Sequence, residues 1–415
     1  MLRTHRPATL ADETFEQLPV GLLSPILAQV EEDCAYADPL AEDTDFAVML
    51  SEEMSGTFAD EDSRREKFCD MLSKEFFMPL NRATVGLGVT DGTAMLPVGV
   101  ASAMAVNTEI KLEVGQGGGD PRLQNATYAA HNASLQYGSL GRVSYCPALL
   151  IELAGPNMSL SGFALGQYAC CDQLSQMVSL LRQPKSEIAI GAARAIFAIR
   201  RAWPALQEYY QKLAETLKDY WRQSETPMPN QQLEFPYPNL FKPDGGDSTQ
   251  SLRYLKRLTT YTFEAESMSK KVFVKYCKRY SREAHLVVQE AGHAPRLLCV
   301  QLLPGRWVMV VMEYLETAVT WSDSMVKPIE QLTAAVRVMH DAGFVHGDLR
   351  SPNVLVQDEK VHLVDFEWAG KEGHVSYPLF MNRATEMWPE GATDGQFIRK
   401  THDAEWVRRL RAGDG

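Results

Sequence analysis

Asp348, Asn353 and Asp365 are the residues whose types and spacing carry the clearest chemistry in this chain. They lie in His346-Gly347-Asp348-Leu349-Arg350-Ser351-Pro352-Asn353 and, shortly afterwards, Val364-Asp365-Phe366. An aspartate, an asparagine and a second aspartate in this order suit phosphoryl transfer. That reaction needs one carboxylate to orient an attacking hydroxyl and two oxygen ligands for the Mg²⁺ that bridges the phosphates of ATP.

The flanking segments should position these groups. Pro328 to Gly343 reads as an amphipathic helix with Ile329, Leu332, Val336 and Met339 on one face and Asp341-Ala342-Gly343 as its stop. Val354–Val356 and Val361–Val364 read as two short strands around the polar turn Gln357-Asp358-Glu359-Lys360. Upstream, Val272-Phe273-Val274-Lys275-Tyr276 reads as a strand that carries Lys275. Arg282–Glu290 reads as a helix that carries Glu283 and Glu290. Val308–Leu315 is an apolar strand running into a polar segment at Glu313, as a hinge beneath an adenine ring would.

Helix, polar loop and hairpin ending in Asp-Phe is the order found in protein kinases and their small-molecule-kinase relatives, and this part of the chain resembles that superfamily. The resemblance implies ATP and Mg²⁺ as cofactors. It makes Asp348 the catalytic base, Asn353 and Asp365 metal ligands, Lys275 the contact to the α- and β-phosphates with Glu283 as its ion-pair partner and Glu290 as the less favoured one, and Glu313 part of the nucleotide site. Arg350 stands where a lysine usually touches the transferring phosphate. The sequence departs from the pattern in the short stretch of about fifty residues after Asp365, fewer than a full protein-kinase C-lobe and activation segment would take, and in two further places. Thr259-Thr260-Tyr261-Thr262-Phe263-Glu264 occupies the position of a Gly-rich loop, and Glu367 replaces the usual glycine after Asp-Phe. All three fit a compact, atypical kinase, or a pseudoenzyme that binds nucleotide and turns it over poorly. The Asp-Leu-Arg form of the loop favours a protein serine or threonine as acceptor, and a small molecule stays open.

A second constellation lies in the N-terminal half. Asn107–Val114 alternates polar and apolar residues, so a strand would set Glu109, Lys111 and Glu113 on one face. Asp91 precedes it, and Met95–Ala105 is apolar enough for a hairpin between them. An acid followed by Glu-x-Lys is the metal-and-base arrangement of PD-(D/E)XK nucleases, in which Asp91 and Glu109 would hold Mg²⁺ and Lys111 would serve the attacking water. Asp120-Pro121 opens an expected helix with Gln124 and Tyr128 on one face. Glu-x-Lys followed by Gln-x-x-x-Tyr resembles the RecB-like branch of that superfamily.

The expected fold class is therefore α/β and α+β, with a nuclease-like α/β domain followed by a bilobal kinase-like domain. Residues 1–61 are expected as an acidic, partly ordered lead-in and 62–223 as the nuclease-like domain. A proline-rich linker should span 224–250, and 251–415 should be kinase-like. Further helices are expected at Arg64–Phe77, Arg122–Ala133 and Cys170–Leu181, with two more within 186–222 broken near Pro204. His402-Asp403 reads as a surface cap, and Trp368, Trp388 and Trp406 as packing. Together, Gly117-Gly118-Gly119-Asp120-Pro121, Cys146–Pro156, His346–Arg350 and Val364–Gly370 resemble the fused nuclease-like and kinase-like chains of fungi grouped with Crinkler-type effectors and toxins. That resemblance implies phosphotransfer by one module and DNA attack by the other, inside a cell and sometimes in the nucleus of a target cell.

Composition narrows the alternatives. The formal net charge of −12 argues against coating nucleic acid through bulk charge, so a DNA contact would need a local basic surface. The seven cysteines include no CxxC pair, which suggests neither a zinc site nor a disulfide framework and favours a reduced compartment. No apolar run is long enough for a membrane span. Arg3 and Arg6 are followed at once by Asp12, Glu13 and Glu16, so no signal peptide is expected.

Overall fold

The computed structural model describes residues 2–3, 17–86, 88–115, 119–182, 186–222, 230–381 and 388–413. The chain divides into two compact units, Met1–Pro238 with Pro304–Arg306, and Asn239–Leu303 with Trp307–Gly415. The expected linker at 224–250 is not a free connector over its described part. Asn230 N donates to Arg142 O and Tyr237 N to Leu22 O, both at 2.8 Å, so 230–238 packs on the first unit. Its beginning, 224–229, and residues 1 and 4–16 of the expected lead-in lie outside the described residues.

The rest of that lead-in is helical rather than loosely ordered. Helices α1 (Pro25–Tyr36) and α2 (Ala41–Met54) precede α3 (Glu61–Phe76). Ser24 caps α1 by accepting from Leu27 N at 3.4 Å, with Pro25 at the first helical position. Leu27, Val30, Phe46, Leu50 and Met54 recur at three- and four-residue spacing and are buried, which outweighs the acidic composition of the segment.

The first unit centres on a sheet. Strands β1 (Gly92–Val98) and β2 (Ala101–Lys111) form the expected hairpin, and α4 (Pro121–Leu135) crosses over to β3 (Ala148–Ala154). β4 (Asn157–Leu165) and β5 (Ala169–Gln173) complete the order β5-β4-β3-β2-β1. Only the β2–β3 pairing within this order is parallel, because only there does a helix return the chain to the same end of the sheet. The register sets Glu109 opposite Glu152. The helix expected at Cys170–Leu181 is instead β5 followed by the short strand Val178–Ser179. Its apolar run is too short to hold a helical face, and pairing with β4 satisfies its backbone. The break expected at Pro204 does not occur: α5 runs unbroken over Ser186–Arg222. Ile196, Ile199, Trp203, Leu206 and Tyr210 keep one buried stripe on both sides of Pro204, which itself faces solvent.

In the second unit, β6 (Arg253–Arg257), β7 (Thr262–Ser267) and β8 (Lys270–Cys277) precede α6 (Arg282–Glu290). β9 (Leu297–Leu303) and β10 (Trp307–Glu313) follow, giving an antiparallel sheet of order β6-β7-β8-β10-β9. Then come α7 (Ile329–Asp341), the hairpin β11 (Val354–Gln357) and β12 (Lys360–Leu363), and α8 (Lys400–Ala412). Leu332, Ala335, Val336 and Met339 of α7 enter a core with Leu349, Val354, Leu363, Phe366, Trp406 and Leu410. Trp388 lies 5.6 Å from Trp368 and 5.7 Å from Trp406, in keeping with a packing role for all three.

Candidate functional site

The loop after α7 carries Asp348 and Asn353, both largely buried. Arg350 forks onto the Asp348 carboxylate, Nε to Oδ1 at 2.5 Å and Nη2 to Oδ2 at 3.0 Å. Asn353 Nδ2 donates to Asp348 O at 2.8 Å and to Oδ2 at 2.9 Å. Those bonds occupy the amide nitrogen and leave Asn353 Oδ1 for another donor or a cation. His346, fully buried, accepts from Asp348 N through Nδ1 (3.3 Å) and donates from Nε2 to Val364 O (3.1 Å). One imidazole thus ties the loop to the segment that carries Asp365.

Asp365 has φ of +66°, a left-handed conformation that a non-glycine residue adopts only when its surroundings impose it. What imposes it is Phe366, which is fully buried and stacks on His285 of α6 at 4.7 Å, with His346 at 5.3 Å. The ring fixes the backbone, and the turn sends the Asp365 carboxylate to Lys275. Lys275 Nζ lies 2.6 Å from Asp365 Oδ1 and 3.0 Å from Glu367 Oε2. Burial alone would lower the lysine pKa, but the two carboxylates outweigh it and hold Lys275 above its ordinary value.

The expected Lys275–Glu283 ion pair is not formed. α6 turns Ala284, His285 and Val288 inward, which leaves Glu283 and Glu290 exposed on its other faces. Glu313 ends β10 and is exposed, its Oε2 accepting from Arg296 N at 3.4 Å. The turn that stands in place of a Gly-rich loop is closed by Thr259 and Thr262, whose hydroxyls lie 2.8 Å apart.

His402-Asp403 is buried rather than at the surface, although His402 does cap α8, its Nδ1 accepting from Arg399 N at 3.3 Å. Asp403 Oδ2 accepts from His346 N and Oδ1 from Gly347 N, each at 2.8 Å, and His340 Nε2 lies 3.0 Å from Oδ2. The carboxylate therefore holds the backbone of the loop that carries Asp348. No local signal reveals this, because 57 residues separate His346 from Asp403. Gly347 is required here: its φ is +83°, and a Cβ would sit 2.8 Å from Ile398 Cδ1.

In the first unit, Asp91, Glu109 and Lys111 are brought together. Asp91 Oδ2 accepts from Ile110 N at 2.8 Å, and Lys111 Nζ lies 3.0 Å from Glu109 Oε1 and 3.9 Å from Glu61 Oε1. Burial, then the charge of Asp91, pushes the Glu109 carboxyl up to about 7. Glu109 Oε2 and Gln124 Oε1 are buried without a hydrogen-bond partner. Tyr128 donates to Val89 O at 3.3 Å, and burial, then the charge of Glu109, raises its phenol. Glu113 is not on that face: β2 ends at Lys111, and Glu113 is exposed beside Arg64, at 3.5 Å. Behind this site runs a buried polar chain that sequence reasoning missed. Asn107 Nδ2 donates to Asn125 Oδ1 (2.8 Å), Asn125 Nδ2 to Glu152 Oε1 (3.2 Å), and Ser159 and Ser161 to Glu152 Oε2 (3.0 and 3.1 Å). Among the described residues no group of three or more His, Cys, Asp or Glu side chains is assembled to hold a metal, and no helix is long and apolar enough to cross a membrane.

Residues 303–384 match the RIO domain family, an atypical protein kinase family, and so include Asp348, Asn353 and Asp365 but not Lys275. Among solved structures the chain is similar to the Cydia pomonella granulovirus kinase PK-1, with TM-score 0.34 and 14% identity over 39% of this chain and 67% of that one. It is also similar to vaccinia related kinase 3, with TM-score 0.31 and 15% identity over 42% of this chain and 66% of that one. No curated protein matches. Within the second unit, residues 303–384 are therefore similar to an atypical-kinase domain.

Proposed function

We propose that the second unit transfers the γ-phosphoryl group of ATP to a hydroxyl in an Mg²⁺-dependent reaction. One observation carries this reading: Lys275 and Asp365, ninety residues apart in sequence, meet at 2.6 Å beside the Asp348–Asn353 loop. The donor set fits the cofactor. Asp365 and Asn353 offer hard oxygen ligands of the kind Mg²⁺ prefers, and Lys275 offers a cation to phosphate oxygens. When bound, Mg²⁺·ATP supplies the transferable phosphoryl group and the neutralisation of its charge.

The chain's own groups then have separate tasks. Asp348, its plane fixed by Arg350 and Asn353, retains lone pairs to accept the proton of an incoming hydroxyl. Arg350 places a guanidinium next to that base, where negative charge grows during transfer. Glu313 ends the strand that a purine would lie against. A protein serine or threonine is the favoured acceptor, with a small-molecule hydroxyl as the alternative. Thermal shift on titration with Mg²⁺·ATP tests the reading: the wild type should gain stability as ligand rises, and Lys275→Ala should lose most of that gain. A wild type indifferent to millimolar Mg²⁺·ATP removes it.

A second reading concerns the first unit, and the buried, unpartnered Glu109 Oε2 beside Asp91 favours it. In it, Asp91 and Glu109 bind Mg²⁺ and Lys111 assists attack of water on a DNA phosphodiester, as in the Crinkler-type chains, with an effector role inside a target cell. Plasmid cleavage that persists in Lys111→Ala would rule it out.

A further inference from the structure

We propose that Glu367, in place of a glutamate on helix α6, is the residue that positions Lys275 for phosphate contact. The inference rests on the phosphotransferase reading and assigns a task to a residue at which this sequence departs from the kinase pattern.

The argument begins with a conflict of charge. Lys275 has two anionic partners, Asp365 at 2.6 Å and Glu367 at 3.0 Å. Asp365 is also the carboxylate that a divalent cation would claim. A cation on Asp365 repels an ammonium sharing the same carboxylate, so Lys275 needs a second anion if it is to stay in place when the site is loaded. The strand–helix pair β8–α6 does not supply one, because Glu283 and Glu290 both face solvent. Glu367 does supply it.

The position of Glu367 is built rather than incidental. Its backbone carbonyl accepts from Arg279 Nε at 2.9 Å, and Arg279 Nη1 and Nη2 both reach Ser376 O at 3.1 Å. On the other side, Ser281 N donates to Phe366 O at 3.0 Å, and the Phe366 ring is fully buried. Clamped at both ends, residues 365–367 present two carboxylates to one ammonium. A glycine at 367 would leave Asp365 to serve lysine and metal alone.

The test is a double-mutant cycle on the full chain with Lys275→Ala, Glu367→Gln and the pair, plus Glu367→Asp and Glu283→Gln. Phosphotransfer from Mg²⁺·ATP and urea unfolding are both measured. Glu367→Gln should lower kcat/KM by about tenfold to a hundredfold, mainly through KM for ATP, and should add nothing in the Lys275→Ala background. Glu367→Asp should recover part of the loss, and Glu283→Gln should resemble the wild type. Additive effects of Lys275→Ala and Glu367→Gln, or a Glu283→Gln loss exceeding that of Glu367→Gln, overturn the assignment. If the wild type transfers no phosphate, the phosphotransferase reading fails. The unfolding midpoints still judge the pair: non-additive midpoints support it, and additive midpoints overturn it.

Discussion

Asp403 Oδ1 accepts the backbone N–H of Gly347 at 2.8 Å, so a carboxylate on α8 holds the loop that carries Asp348. The same side chain takes His346 N and His340, and it is wholly buried. Removing it strands two buried backbone donors. Asp403→Ala should therefore destabilise the second unit by about 3–5 kcal/mol, by the measure of other broken buried charge networks. Chemical denaturation checks this, and a loss under about 1 kcal/mol would mean that the loop is held elsewhere.

Gly347→Ala acts on the same loop by a different route. A Cβ meets Ile398 Cδ1 at 2.8 Å in a left-handed backbone. The substitution should cost about 1–3 kcal/mol, since strained backbone and overpacking each fall in that range. Differential scanning calorimetry of Gly347→Ala against the wild type provides the comparison; an unchanged melting profile would contradict the contact.

Stability of the first unit should depend on the charge of Glu152. Burial pushes its carboxyl up to about 8, against 4.5 for the ordinary glutamate, although Ser159, Ser161, Arg122 and Asn125 pull the other way. The folded state therefore holds a proton that the unfolded chain has released. The contribution is fully present below the unfolded pKa and is lost as pH rises through about 8. Melting temperatures from pH 5 to 9 should fall for the wild type and flatten for Glu152→Gln. A Gln variant with the same slope as the wild type would assign the dependence to another group.

Pro204 interrupts one backbone hydrogen bond inside α5 yet faces solvent and leaves the helix whole. Pro204→Ala should restore the missing donor and raise stability by up to about 3 kcal/mol. Urea titration measures it, and a destabilised alanine variant would show that the proline geometry is itself needed for packing.

These cases also show what the sequence discloses. Strand β8, helix α6, helix α7 and the β11–β12 hairpin were legible because their apolar periods and polar stops are local. So was the order Asp348, Asn353, Asp365. Asp91, Glu109 and Lys111 could be grouped because a hairpin joins the first two and strand alternation the last two. The partner of Lys275 was not legible: helix α6 was read correctly, but which of its faces turns inward depends on His285 stacking on Phe366, a contact made far along the chain. Asp403 is the same kind of miss, since only the fold brings α8 beneath Gly347. Residues 170–181 failed for a local reason, a short apolar run that suits strand and helix alike.

The central claim is that Asp348 serves transfer rather than binding. Its most direct test is phosphoryl transfer from γ-labelled ATP by Asp348→Asn beside the wild type, with nucleotide affinity measured on both. Transfer should fall by about a hundredfold or more while affinity for Mg²⁺·ATP stays within about threefold. Transfer by Asp348→Asn at the wild-type rate would contradict the account.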